Sequence, residues 1–189
     1  MFDWEPPNDK DYINDWDKRL ISLLNRMAKL GHFERLTITC CRSCDRRLTF
    51  VREKAEAIAE AFVAVIEGNK KLAYLDLSGF TYKRVPSRRC DLRTFSWSSQ
   101  LEKLFKAMEE HEQLETFVLK DYPVTADPDY SWLKRLLWRN RNITVLDSLG
   151  KRCTDGNIID KLYSCNQIRN DLAPEIPGTG LVIPSSPGP

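Results

Sequence analysis

The residues best suited to chemistry in this 189-residue chain are its six cysteines and two histidines. Cys41 and Cys44 form a C-x-x-C pair directly after Cys40, and this spacing begins many structural zinc sites. A four-ligand site needs a second close pair of cysteines or histidines, and none follows in the sequence. We therefore expect small buried or loop thiols, while metal binding by Cys40, Cys41 and Cys44 stays open.

A catalytic thiol would need a histidine brought close to it by the fold. His32 is the only histidine near Cys41 and Cys44 in the sequence, and it stands at the end of a predicted helix. His111 lies among the acids Glu109, Glu110 and Glu112. Both histidines are typical of surface or capping residues rather than of proton-transfer groups.

Asp76 and Asp147 are a possible carboxylate pair, because they take equivalent places in two similar segments of the chain. The repetition itself explains the match without any acid–base or metal chemistry. The sequence contains no nucleophile elbow, zinc-protease helix, phosphate-binding loop or dinucleotide-binding glycine motif. We therefore expect a protein that is not an enzyme and that carries neither a cofactor nor a catalytic metal.

The composition is that of a globular domain, with 42% hydrophobic and 30% charged residues. The sequence has neither an apolar run long enough to cross a membrane nor an apolar leader, so we expect a cytoplasmic chain with reduced thiols. The net charge is 29 − 27 = +2. Residues 1–17 hold six acids and one base, which leaves a moderately basic body of 28 bases against 21 acids. This balance is weaker than that of a dedicated nucleic-acid binder.

Four short segments repeat the pattern apolar-x-x-apolar-x-apolar, with Ser148 as the one departure, and they are 33–38, 72–77, 114–119 and 143–148. A predicted helix with apolar residues at helical spacing precedes each segment, and a fifth helix follows the last. The predicted helices are 14–30, 50–67, 98–110, one that begins with Asp127 as its N-cap and Pro128 as its first residue, and 154–168. Gly31 and Gly68 are predicted to end the first two helices. Short strands separated by helices favour parallel pairing.

Residues 61–79 show the pattern most clearly, since the helix runs into Asn69 and then Leu72-x-x-Leu75-x-Leu77. This arrangement resembles a leucine-rich repeat of the ribonuclease-inhibitor type, loosely over about residues 14–170. The resemblance implies an α/β fold, a short solenoid (horseshoe arc) with short parallel strands on the concave side and helices on the convex side. Gly79-Phe80 replace the asparagine that usually follows the strand, and the first two loops are long. An ordinary α/β domain with a parallel sheet is the alternative.

This interpretation divides the chain into three parts. Residues 1–13 form an acidic N-terminal segment or cap, and 14–172 form an irregular domain of about four helix–strand units plus a terminal helix. Residues 173–189 are rich in proline, glycine and serine and are predicted to be a disordered tail.

A partner would meet the residues between the strand leucines, because successive side chains of a strand point to opposite faces. Stacked units predict three rows of such residues across the concave sheet. The rows are Arg35, Tyr74, Thr116 and Val145; Thr37, Asp76, Val118 and Asp147; and Thr39, Ser78, Lys120 and Leu149. Solenoids commonly bind partners on this surface, and an exposed Tyr74 suits an anchor.

Arginine-rich loops offer a second surface, since the two long loops after the first two strands would lie on one rim. Their basic residues include Arg84, Arg88 and Arg89, which suit bidentate contacts to carboxylates or phosphates. We predict a non-catalytic protein–protein interaction module (an adaptor, an inhibitor or an effector-like protein) that uses the concave sheet and these loops. The resemblance implies relatives of those kinds, and actin-filament caps among them. The alternative is an RNA- or anionic-phospholipid-binding module that uses the arginine-rich loops.

Overall fold

A computed structural model describes residues 2–4, 16–40, 52–79 and 98–172 of the chain. These residues form alternating strands and helices. In chain order the elements are β1 (Phe2–Trp4), α1 (Trp16–Leu30), β2 (Arg35–Cys40), α2 (Arg52–Gly68), β3 (Tyr74–Asp76), α3 (Ser98–Met108), β4 (Thr116–Val118), α4 (Ser131–Arg139), β5 (Thr144–Leu146) and α5 (Ile158–Leu172). None of the helices in these ranges combines the length and the apolar character that crossing a membrane would need.

The strands form one parallel sheet in the order of the chain, from β1 to β5. A helix connects each strand to the next, and parallel crossovers of this kind are right-handed, so all the connecting helices pack on one face of the sheet. Each helix contacts its neighbours in chain order. The prediction of an α/β fold with a parallel sheet is confirmed. β1 was not predicted from the sequence; it pairs with the second half of β2.

A single apolar core lies between the helices and the sheet. Alternate strand residues enter it, and those of the four central positions are fully buried: Leu36, Leu75, Phe117 and Val145. Helix residues at helical spacing, such as Leu20 and Leu24 of α1, cover them. The ring of Phe105 meets Phe117 edge to face, with 6.0 Å between the ring centroids. The core therefore uses one face of the sheet, and the residues between the core positions point to the other.

Glycines end the first two helices for two different reasons. Gly31 adopts a left-handed backbone conformation with φ of +66° and closes α1 through a hydrogen bond from its N–H to the carbonyl of Met27. Gly68 is still helical, and a Cβ atom added there would lie 2.5 Å from the carbonyl oxygen of Ala28. Gly68 is therefore needed because the end of α2 touches the backbone of α1.

Helix α4 begins at Ser131, so the predicted start at Asp127 is wrong. Residues Asp127 to Tyr130 form a turn, in which the N–H of Tyr130 bonds to the carbonyl of Asp127. The Asp127 carboxylate still caps the helix from this turn. It accepts hydrogen bonds from the backbone N–H of Ser131 at 2.8 Å and of Trp132 at 3.0 Å, and from the hydroxyl of Tyr122. The Asp127 side chain caps the helix as predicted, but Asp127 lies four residues before the first helical residue.

A chain of buried polar side chains, which we call the polar ladder (Asn69, His111 and Asn140), links the ends of successive helices. The Asn69 amide donates to the carbonyl of Met27 at the end of α1, 3.2 Å away. His111 places Nε2 3.0 Å from the carbonyl oxygen of Asn69, so that ring nitrogen carries the proton. The Asn140 amide donates to the carbonyls of Met108 and His111, each at 2.9 Å. The ladder thus fixes α2, α3 and α4 to one another where the strands begin.

The far edge of β5 is closed by the chain that follows it. Arg152 forms an antiparallel bridge to Leu146, and the N–H of Cys153 bonds to the carbonyl of Val145 at 2.9 Å. From α5, the hydroxyl of Tyr163 accepts a hydrogen bond from the N–H of Val145 at 3.2 Å. A sheet edge that is paired in this way cannot add another strand.

Candidate functional site

The candidate site is the face of the sheet opposite the helices, which we call the outer sheet face. It consists of the strand residues that alternate with the core positions: Arg35, Thr37, Tyr74, Asp76, Thr116, Val118, Thr144 and Leu146. The strand register places Arg35, Tyr74 and Thr116 in one row, and Thr37, Asp76 and Val118 in the next, as the sequence predicts. Whether these residues bind a partner stays a prediction.

The centre of the site is a contact between adjacent strands. Arg35 and Tyr74 are register partners, and the guanidinium carbon of Arg35 lies 4.1 Å from the centroid of the Tyr74 ring. A guanidinium at this distance stacks on the aromatic face and is attracted to its electrons. Tyr74 is half-buried, whereas Arg35 is exposed. The stacking restricts a long side chain and presents its polar edge beyond the sheet.

Asp76 is held in place on the same strand as Tyr74. One of its carboxylate oxygens accepts a hydrogen bond from the backbone N–H of Ser78 at 2.8 Å, and the other lies 3.4 Å from the Tyr74 hydroxyl. Burial and the negative charge of Asp76 raise the pKa of Tyr74, with Arg35 acting in the opposite direction. Tyr74 is therefore a neutral phenol at neutral pH, placed between a cation and an anion.

The site becomes less polar and less accessible along β4. Thr116 is half-buried beside Tyr74, but Val118 is only 7% exposed although it lies on the outer face and outside the core cluster. A side chain that is so well covered offers little area to a partner, so Val118 can add little contact area to the predicted binding surface. Lys120, just beyond the strand, is exposed.

Two of the predicted row positions on β5 are wrong by one residue. Val145 pairs with Phe117 and is fully buried in the core, so it cannot belong to the outer row with Thr116. Thr144 takes that place, and Leu146 takes the place predicted for Asp147. In the sequence Ile143-Thr-Val-Leu146, apolar residues stand at positions that point to either face of the strand. Pairing with β4 places Val145 in the core.

Asp147 has a local structural role in the turn after β5. Its carboxylate accepts hydrogen bonds from the N–H groups of Leu149 and Lys151, both at 2.9 Å, and Gly150 completes the turn with φ of +76°. The prediction that Asp76 and Asp147 take equivalent places is wrong, because Leu146 rather than Asp147 pairs with Val118 in the row of Asp76. In the third row, the register of β4 and β5, if continued, puts Ser148 rather than Leu149 beside Lys120. The N–H of Ser148 bonds to the backbone carbonyl of Lys120 at 3.3 Å.

The chemically reactive side chains do not assemble into a catalytic centre within the described ranges. His32 is exposed and contacts the carbonyl of Leu30 at 3.0 Å. His111 is buried rather than on the surface, and its Nε2 bonds to the carbonyl of Asn69 at the end of α2. Burial and the nearby carboxylates of Asp147 and Asp121 raise the pKa of Cys153 to about 12, which leaves its thiol protonated at neutral pH. No group of three histidine, cysteine or acidic residues in these ranges is placed to hold a metal ion.

Several predicted residues lie outside the part of the chain that the structure describes. They are Arg84, Arg88, Arg89, Cys41 and Cys44. The arginine-rich surface therefore stays a prediction, and metal binding by Cys40, Cys41 and Cys44 stays open.

Sequence reasoning missed the polar ladder, although one signal for it was present. Asn69 and Asn140 both stand at the end of a helix, three residues before an apolar strand segment. His111 takes the same place before Leu114, but its acidic neighbours concealed the match.

No protein-family model, curated protein or solved structure matches this chain. The interpretation of the site therefore depends on its own geometry.

Proposed function

We propose that the chain is a short solenoid of the leucine-rich-repeat type that binds a partner protein through its outer sheet face and performs no catalysis. The support for the solenoid is the repetition itself. Each of β3, β4 and β5 is three residues long, follows a helix and a polar side chain of the ladder, and pairs with the strand before it. Units of this kind bury their apolar faces only by stacking.

The observation that carries the binding proposal is the stacked pair of Arg35 and Tyr74 on the outer sheet face. The connecting helices occupy the opposite face, so this surface is not needed for the core. Tyrosine and arginine are enriched among the residues that dominate binding energy, especially where they are already held in position. If the outer sheet face carried only threonines, it would fit a sheet exposed to water as well as it would fit a binding surface.

The proposal is tested by affinity capture from cell lysate at about 0.15 M salt, repeated at about 0.5 M and with nuclease. We expect a discrete protein that survives both treatments and is not retained by Tyr74→Ala. Trp138→Ala is the matched control, because Trp138 is an aromatic residue 68% exposed on α4, on the helix side. A partner lost with Trp138→Ala but kept with Tyr74→Ala would contradict the proposal.

RNA or anionic phospholipid binding by Arg84, Arg88 and Arg89 is distinguished by the same experiment. Binding through phosphates weakens steeply with salt, because counterions compete for the basic residues. Recovery that depends on nucleic acid or disappears at about 0.5 M salt would favour this alternative.

A further inference from the structure

We infer that Arg35 is the receptor for a carboxylate of the partner, so that the bound segment places an aspartate or glutamate side chain against the row of Arg35 and Tyr74. This inference rests on the proposed function and names the chemistry that the outer sheet face recognises. It follows from the Arg35 side chain, which lies over the Tyr74 ring and has no ion-pair partner among the described residues.

The guanidinium carbon of Arg35 lies over the Tyr74 ring, 4.1 Å from its centroid. The N–H groups of a guanidinium lie in its plane, so a guanidinium stacked on a ring can still donate them to an acceptor. Among the described residues, no carboxylate forms an ion pair with Arg35, and its side-chain N–H groups have no acceptor. Arginine presents two parallel N–H groups that match the two oxygens of a carboxylate. An arginine held in one orientation loses less side-chain entropy when it binds.

The surroundings favour a carboxylate over a phosphate. Asp76 lies two residues from Tyr74 on β3, and its carboxylate is fixed by the N–H of Ser78 at 2.8 Å. Asp76 repels a dianionic phosphate more strongly than a singly charged carboxylate, and a single arginine neutralises only one of the two phosphate charges. The remaining neighbours in the two rows, Thr37 and Thr116, are neutral and supply hydroxyl groups. In these two rows, Arg35 therefore supplies the positive charge, the threonines beside it supply hydroxyl groups, and Asp76 supplies a negative charge.

The proposal is tested with a library of random peptides displayed on phage and selected against the whole chain. We expect the selected peptides to share an aspartate or glutamate. A synthetic selected peptide should bind Arg35→Lys at least about tenfold more weakly, because lysine keeps the charge but loses the paired N–H groups and the stacking. Trp138→Ala is the control on the helix side, and thermal unfolding shows that each variant folds.

The decisive readout is the coupling between Arg35 and the acidic residue of the peptide. Changing that residue to its amide should weaken binding to wild type much more than binding to Arg35→Lys, in which the paired N–H groups are already lost. A phosphoserine in its place should bind more weakly than the acid.

Each contrary result has a separate meaning. Peptides that Thr116→Trp blocks, but that lack a coupled acid or bind more tightly with phosphoserine, would overturn the carboxylate inference and leave the proposed function standing. A selection that yields no peptide sensitive to Thr116→Trp, a bulky uncharged change on the outer sheet face, would contradict the proposed function itself.

Discussion

The Nε2 atom of His111 lies 3.0 Å from the carbonyl oxygen of Asn69, and both residues are buried. This contact joins two helix ends that are 42 residues apart in the chain. It continues on one side to Met27 through Asn69 and on the other to Asn140. Because the ladder fixes the point at which each strand begins, it also fixes the register that brings Arg35 beside Tyr74.

Asn69→Ala is predicted to lower the free energy of unfolding by at least about 2 kcal/mol. The Asn69 side chain donates to Met27 and Val65 and accepts from the N–H of Phe33. Its removal leaves the N–H of Phe33 without this partner and takes one bond each from the carbonyls of Met27 and Val65, which keep their backbone bonds. A group left unpaired on burial costs about 1–3 kcal/mol, and each of the other lost bonds adds to the loss. Urea unfolding followed by circular dichroism measures the change.

Asn142→Ala is the matched control for the ladder. Asn142 is exposed, and its amide bonds to the carbonyl of Glu112 at 3.1 Å. We expect a loss below about 1 kcal/mol, since water replaces the bond. Equal losses for the two variants would show that the ladder has no special role in stability.

Asp127→Asn is predicted to lower stability at neutral pH but to matter less in acid. Burial alone would raise the pKa of Asp127, but hydrogen bonds from Tyr122, Ser131 and Trp132 outweigh burial and hold the pKa below its usual value. A carboxylate with a lowered pKa in the folded state stabilises the protein above the pKa of the unfolded chain, about 3.9. That contribution is lost as the pH falls through the pKa of the folded state.

Urea unfolding at about pH 7 and about pH 3 measures this effect. The loss at neutral pH should be about 1.5–3 kcal/mol, as for other hydrogen bonds to a charged group, and it should shrink at the lower pH. Asp129→Asn is the control, because Asp129 is exposed in the same turn. A loss for Asp127→Asn that does not change with pH would contradict the assignment.

Gly68→Ala is predicted to destabilise the protein although it adds a better helix former. In an open helix position this change would stabilise by about 0.5–1 kcal/mol. Here the added Cβ would lie 2.5 Å from the backbone oxygen of Ala28, which cannot move without displacing α1. We expect a net loss of about 1–2 kcal/mol by urea unfolding. A gain in stability would show that α1 and α2 are less closely packed at this point.

Cys153 and Cys165 are predicted to differ in reactivity. Cys153 is buried with a pKa of about 12, whereas Cys165 is exposed on α5. Only the thiolate reacts with iodoacetamide, so near pH 8 the native protein should be labelled at Cys165 and not at Cys153. Peptide mass spectrometry reads each site separately, and urea should make Cys153 reactive. Rapid native labelling of Cys153 would show that the loop from Asp147 to Cys153 opens readily.

The repeated helix–strand pattern was predictable because its periodicity is local, and the core positions Leu36, Leu75 and Phe117 were identified correctly. The position of β5 was not, since Val145 and Leu146 are both apolar and only pairing with Phe117 decides between them. Burial of His111 was also beyond local reasoning, because its partner is distant in the chain.

For the candidate site, the sequence predicted that Arg35 and Tyr74 share a row. It did not predict the stacking of one on the other, which depends on side-chain conformations on two strands.

The most direct test of the central claim is the dissociation constant of the captured partner protein for wild type, Tyr74→Ala and Trp138→Ala. Tyr74→Ala removes the surface on which Arg35 lies, so we predict at least about tenfold weaker binding, as expected for a residue central to an interface. Trp138→Ala should bind as wild type does. Unchanged binding of Tyr74→Ala, in a protein that unfolds at the wild-type temperature, would contradict the assignment of the outer sheet face as the binding surface.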